Sequence, residues 1–194
     1  LGLGTVGGLF AACARGPRNP YYSGPVSDHF DGTRFFNPDG APPRGFRDLL
    51  RWRFGDKPDE WPATVPLQAQ VRPAERVDDL TVTMVGHATM LIQTAGLNIL
   101  TDPVWSDRAS PVSFAGPKRV IAPGIAFDDL PPIDVVLLSH NHYDHLDVAT
   151  LGRLKAAHDP RVITPLGNDT LIAGTGLRCA TLDWGDQTTA AHLG

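Results

Sequence analysis

The chain has 194 residues, with 17 Lys and Arg against 21 Asp and Glu and a formal net charge of −4. That balance argues against a surface that tracks nucleic-acid phosphates, which needs a basic excess, so no nucleic-acid partner is expected. Two cysteines far apart in sequence, Cys13 and Cys179, argue against a disulfide framework, and the length suffices for one domain with a real core.

Residues 1–18 read as an apolar segment of signal or anchor type, too short to span a bilayer. Leu9-Phe10-Ala11-Ala12-Cys13 has the look of a bacterial lipoprotein signal, with Cys13 as the acylated residue; a plain floppy terminus is the alternative. The expected location is the bacterial cell envelope or a membrane surface, otherwise the cytoplasm. Residues 19–78 form a loop-rich extension, punctuated by Pro20, Pro25, Pro38, Pro42 and Pro43. Within it Phe46, Leu49, Leu50 and Phe54 fall on one helical face, with Arg44, Arg47, Arg51 and Arg53 around it and Trp52 adding an amphipathic ring. Such a helix can lie on an anionic bilayer through Phe46, Leu49, Leu50, Trp52 and Phe54. It can equally pack its apolar face on its own domain.

From residue 79 to 194 strands and helices alternate, which makes the fold class α/β. Leu80–Val85, Met90–Thr94 and Asn98–Thr101 read as three strands, the last two joined by a turn at Ala95-Gly96. His87 lies just past the first strand and Asp102 just past the third. A long connector, 105–124, carries Lys118 and Arg119, two cations that a substrate phosphate or plain solvent could claim. Ile133–Leu138 is an apolar run with the length of a buried strand. It delivers Ser139-His140-Asn141-His142-Tyr143-Asp144-His145. Leu146, Val148, Leu151 and Leu154 then recur at helical spacing, with Asp147 as N-cap of a helix running to about Ala157. A strand at 161–164, a helix capped by Asn168 and a strand at 178–182 follow. Cys179 in that strand reads as a small buried apolar residue rather than a nucleophile.

The 139–145 stretch puts three imidazoles and a carboxylate at the end of a strand. His140 and His142, two apart in an extended segment, point to the same side and can converge on one ion. Asp144 and His145 follow at once and can serve a second. Nitrogen and oxygen donors of this kind suit zinc best, with iron or manganese as alternatives. Two ions roughly 3.5–4 Å apart can clamp a phosphoryl or acyl centre during hydrolysis. The competing reading is a histidine-rich surface loop, which the density of ligand-type residues at a strand end disfavours.

His-x-His-x-Asp-His after an apolar strand resembles the metallo-β-lactamase fold hydrolases. Gly86-His87-Ala88-Thr89, Leu100-Thr101-Asp102-Pro103, Arg108-Ala109-Ser110-Pro111, Gly116-Pro117-Lys118-Arg119 and Leu130-Pro131-Pro132-Ile133-Asp134 extend the likeness. Together they resemble the branch containing N-acyl-phosphatidylethanolamine-hydrolysing phospholipase D and its bacterial relatives. The resemblance implies an αββα sandwich, here its N-terminal half at 79–194, and a site of two zinc ions. It assigns His140 and His142 to the first ion and Asp144 and His145 to the second. Asp144 also takes a catalytic role, orienting the attacking water, and the resemblance puts His87 and Asp102 near the site: Asp102 reads as a partner behind the ligands, and His87 as either such a partner or a satisfied loop histidine. The implied substrate is an N-acylated phosphatidylethanolamine or similar lipid. A lactonase on the same fold, or a non-catalytic fragment with a binding or structural role, are the alternatives. The family draws further ligands from downstream of the segment resembling Leu182-Asp183-Trp184, where His192 is the only histidine and lacks the family's ligand context. The expectation is therefore a truncated chain with weak, incomplete metal binding alone.

Overall fold

The structure is a computed structural model that describes residues 18–41, 44–55, 60, 62–67 and 69–189, with the side chains of Leu49, Trp52 and Arg53 outside the description. The expected signal segment with Cys13, and His192, also lie outside the described residues. The chain divides into two compact units between Asp56 and Lys57.

The first unit gathers a small aromatic cluster. Phe30 is buried, with Tyr22 edge-on at 5.0 Å and Phe35 at 4.6 Å between ring centroids. Side chains close its turns where the sequence offers only loop chemistry. Asn19 Oδ1 accepts from the backbone N–H of Tyr21 and Tyr22, and Asp31 Oδ1 from those of Thr33 and Arg34. Helix α1, Phe46–Gly55, follows, with the Gly45 N–H donating to Asp48 Oδ2 at its start. Phe46, Leu50 and Phe54 are exposed. No helix among the described residues is long and apolar enough to cross a membrane.

The second unit is built on a six-stranded mixed sheet in sequential order: β1 Thr81–Gly86, β2 Thr89–Thr94, β3 Leu97–Thr101, β4 Val135–Leu137, β5 Arg161–Pro165 and β6 Arg178–Leu182. The first three strands form an antiparallel meander, and β3 to β6 run parallel. Helix α2, Val148–Ala157, connects β4 to β5, and a short helix α3, Asn168–Ile172, connects β5 to β6. The α/β fold class stands as the alternation of elements predicts; the second sheet of a sandwich is not among the described residues.

The period-2 pattern of the strands sorts their side chains onto two unlike faces. In register across the sheet, Leu91, Leu100, Val136 and Val162 form a fully buried row. Leu151 and Leu154 of α2 and Ile172 of α3 share that core. Burying each such side chain contributes about 1.5–3 kcal/mol. The opposite face is apolar but half open. Met84 lies across from Met90, Met90 from Thr101, and Thr101 from Leu137, and Val82 and Met84 on edge strand β1 are 55% and 60% exposed.

Four details depart from the sequence reading. The unit boundary falls at 56/57 rather than 78/79, because residues 65–78 are hydrogen-bonded into the sheet unit. The Val65 N–H donates to Val120 O, Val71 N–H to Gly124 O, and Asp78 O accepts from the Ala95 N–H. Gly124 is needed there, since a Cβ would come within 2.8 Å of Met84 O. Strand β4 is shorter than the apolar run 133–138. Asp134 at its start turns its carboxylate to the Asn98 N–H and to Arg76. Gly167, in the left-handed region, caps α3; Asn168 instead donates through Nδ2 to Thr164 Oγ1. Val148 is exposed, whereas Leu146, Leu151 and Leu154 of the same apolar series are buried.

Candidate metal centre

The site assembles where β1, β3 and β4 end. The parallel register of β3 and β4 sets Thr101 beside Leu137, so Asp102 and the 138–145 loop leave the sheet side by side. Asp102 is 6% exposed and adopts a left-handed backbone, φ 37°, as does His87 with φ 53°. Such conformations are costly for residues other than glycine and cluster at functional sites.

Asp102 organises the loop. Its Oδ1 accepts from the Ser139 backbone N–H at 2.7 Å, and its Oδ2 from the Ser139 hydroxyl at 2.6 Å and from His145 Nδ1 at 2.9 Å. Ser139 Oγ also lies 2.9 Å from His140 Nδ1. The hydroxyl has one proton and gives it to Asp102, so His140 Nδ1 is the donor in that contact. Both His140 and His145 are thereby held with Nδ1 protonated and Nε2 bearing a lone pair. This arrangement of a carboxylate behind an imidazole is how metal-binding histidines are commonly oriented.

The free nitrogens point into one neighbourhood. His140 Nε2 is 3.1 Å from His142 Nδ1, and the rings of His140 and His145 are 4.0 Å apart. Asp144 Oδ2 is 3.0 Å from His87 Nε2 and 3.6 Å from His145 Nε2. One donor atom each from His87, Asp144 and His145 lies within 4.8 Å of the others. His87 thus stands among the ligand-type atoms, although its sequence position suggested a place behind them or a satisfied loop histidine. Asp102 is hydrogen-bonded to His145 and Ser139. The spacing in sequence pairs His140 with His142 and Asp144 with His145; the structure keeps both pairs together and adds His87 to the second.

Electrostatics favours the metal-ready forms. Burial, with the neighbouring His145 and His142, lowers the His140 pKa, which keeps its imidazole neutral. Partial burial works to raise that of Asp144, but its own backbone N–H, His145 and His87 outweigh this and leave it lowered, hence ionised. The chemistry of the donor set, three to four imidazole nitrogens and one carboxylate, fits zinc or a comparable divalent ion.

From the sequence Asp147 reads only as a helix cap. It caps α2 through the Thr150 N–H, and its Oδ2 also accepts from the Thr150 hydroxyl at 2.6 Å and the Ser106 N–H at 3.0 Å. It thereby ties the loop after Asp102 to the helix after His145. Long-range acceptance by a capping residue leaves no mark in local sequence. Beside the site opens a cavity of about 730 Å³, lined by His87, His142 and Asp144 on one side and by the 104–121 loop on the other.

Residues 97–194 match the family described as Beta-lactamase superfamily domain. The chain is 39% identical over 117 residues to N-acyl-phosphatidylethanolamine-hydrolyzing phospholipase D 1 of Caenorhabditis elegans, covering 56% of this chain and 33% of that protein. It is 38% identical over 117 residues to an uncharacterized protein of Mycobacterium tuberculosis, covering 59% of this chain and 32% of that one. A UPF0173 metal-dependent hydrolase of Anaeromyxobacter sp. (strain K) is 34% identical over 96 residues, 48% of this chain and 30% of its own length. The chain spans about a third of the length of these curated relatives. The family match takes in β3 to β6 and the whole loop that gathers the histidines, and the chain belongs to the beta-lactamase superfamily.

Proposed function

We propose that the protein is a zinc-dependent hydrolase of the phospholipase D type, cleaving the phosphodiester of N-acyl-phosphatidylethanolamine-like lipids. The observation that carries this reading is the convergence of His87, Asp144 and His145 donor atoms within 4.8 Å, two of these residues lining a largely apolar cavity. The likeness to a phospholipase D of that specificity supports the choice of substrate. His140 and His142 would hold one ion, and Asp144 and His145, with His87 beside them, a second. When bound, such ions act as Lewis acids on a phosphoryl oxygen and lower the pKa of water.

The chain's own residues supply orientation. Asp102 and Ser139 hold the imidazoles of His140 and His145 in one tautomer. The ionised Asp144 is an acceptor that can aim the proton of an attacking water. In the overall reaction, water oxygen bonds to phosphorus and the bond from phosphorus to the N-acylethanolamine oxygen breaks. The proton passes to that leaving oxygen, giving phosphatidate and the free N-acylethanolamine. The walls of Val104, Val120, Ile121 and Tyr143 offer an apolar bed for an acyl chain. A lipid surface would be met by α1, whose Phe46 and Phe54 are 72% and 77% exposed beside Arg47 and Arg51.

The test is to purify the protein with zinc, measure bound metal, and assay N-acyl-phosphatidylethanolamine vesicles against panels of lactones and soluble phosphodiesters. Zinc-dependent release of N-acylethanolamine is expected. Lactone hydrolysis without lipid turnover would move the assignment to a lactonase, and no bound metal with no turnover would leave a non-catalytic role.

A further inference from the structure

The cavity beside the histidines carries four fixed charges in its lining: Asp107, Asp144, Lys118 and Arg119. Two of them are engaged by direct contacts within the protein. Asp144 faces His87 and His145. Arg119 is half-buried and donates through Nη2 to Val104 O at 2.9 Å and through Nε and Nη2 to Ser106 O at 3.4 and 3.3 Å. Asp107 is the acid that most attracts that guanidinium. These contacts make Arg119 the brace of the 104–106 turn.

Lys118 differs. Its side chain is exposed and makes no hydrogen bond or ion pair among the described residues. Its backbone, however, is pinned. Lys118 bridges Arg108, the Ala109 N–H donates to Pro117 O at 3.1 Å, and the Arg119 N–H to Asp107 O at 2.7 Å. A lysine whose side chain has no partner among the described residues is therefore held on a fixed ribbon in the lining of a cavity whose neighbouring walls, Val104, Val120 and Ile121, are apolar. A cavity of about 730 Å³ falls in the range usual for ligands of modest size. One cation without a partner above an apolar wall is complementary to an amphiphile with an anionic head.

We propose that Lys118 is the specificity residue of this cavity, pairing its ammonium with a non-bridging phosphate oxygen of an anionic amphiphile whose chain lies along Val104, Val120 and Ile121. The inference rests on reading the cavity as the substrate site of the hydrolase. Lys118 acts as a positioning residue: it sets which head group enters and leaves bond cleavage to the groups around Asp144. An exposed pair of this kind is screened by salt, so the preference for phosphate weakens as ionic strength rises.

The test measures equilibrium binding of monomeric dodecyl phosphate and of the neutral dodecyl maltoside. Both are titrated into chelator-treated and into zinc-supplied protein, for the wild type, Lys118→Ala and Lys118→Arg. Lys118→Ala is expected to weaken dodecyl phosphate roughly 3- to 10-fold in both metal states, to leave the maltoside unchanged, and to be rescued by Lys118→Arg. Equal binding of phosphate by wild type and Lys118→Ala overturns the proposal. So does a parallel loss of both amphiphiles, which marks a structural role. Because binding is read without turnover, a lysine-dependent phosphate preference in a protein that hydrolyses no phosphodiester counts against the hydrolase reading and not against Lys118.

Discussion

Two kinds of polar residue meet at the ends of β1, β3 and β4, and burial separates them. Asp102 and Asp147 are 6% and 7% exposed, and their carboxylates are occupied by backbone N–H groups, hydroxyls and one imidazole. The side chains of His87 and Asp144 keep 56% and 42% of their exposure, and their principal partner is each other. A buried carboxylate must satisfy its acceptors within the protein, because leaving them unmet costs about 1–3 kcal/mol or more. An exposed imidazole or carboxylate has water as its alternative and stays available to an ion. The first kind builds the loop; the second offers it to a ligand.

Replacing a member of the first kind should produce the largest effect. Asp102→Ala removes the acceptor of three hydrogen bonds and leaves the Ser139 N–H without its partner. It also puts alanine at φ 37°, a left-handed conformation that aspartate tolerates better. A loss of about 3–5 kcal/mol in urea unfolding is expected. A 10- to 100-fold fall in zinc affinity should accompany it, from the loosened His145. If unfolding is unchanged while zinc binding collapses, Asp102 belongs with the ligands and the division drawn above fails.

The second kind should behave in the opposite way. His142 is exposed, and among the described residues its ring has a polar contact with His140 Nε2. In His142→Ala the metal-free protein should unfold within about 0.5 kcal/mol of the wild type, as for surface changes in general. Zinc affinity, followed by titration against a competing chelator, should nevertheless drop by at least about 10-fold. Unaltered zinc binding would remove His142 from the ligand set.

The smallest effect is expected at a titratable group that burial silences without giving it a partner. Burial, reinforced by Asp169, pushes the Cys179 thiol up to about 11. Iodoacetamide should modify it slowly at neutral pH and faster as pH climbs toward that value, with peptide mass mapping to separate it from Cys13. Rapid labelling at pH 7 would mean that β6 opens or that the thiol is activated.

Much of this arrangement is legible in one dimension. β-branched and apolar runs mark most of the strands because pleated, buried backbone selects them. Asp147 is placed as a cap by the helical series that follows it. His140, His142, Asp144 and His145 declare themselves by density within six positions. What escapes is whatever depends on a distant partner. His87 joins Asp144 across 57 residues, and Asp147 reaches Ser106 across 41. Asn168 has the composition of a cap, but a left-handed Gly167 takes that place and Asn168 turns to Thr164.

The linear order of residues by itself determined the α/β class, the strand that presents the histidines and the density of metal-ligand chemistry there, because periodicity and donor chemistry are local properties. Only the folded arrangement decided that His87 stands beside Asp144 and His145, that Arg119 braces a turn while its neighbour Lys118 has no side-chain partner among the described residues, and that Asp147 ties a loop as well as a helix. Those outcomes depend on which strand ends the sheet register sets side by side, and on which polar atoms burial forces to find a partner.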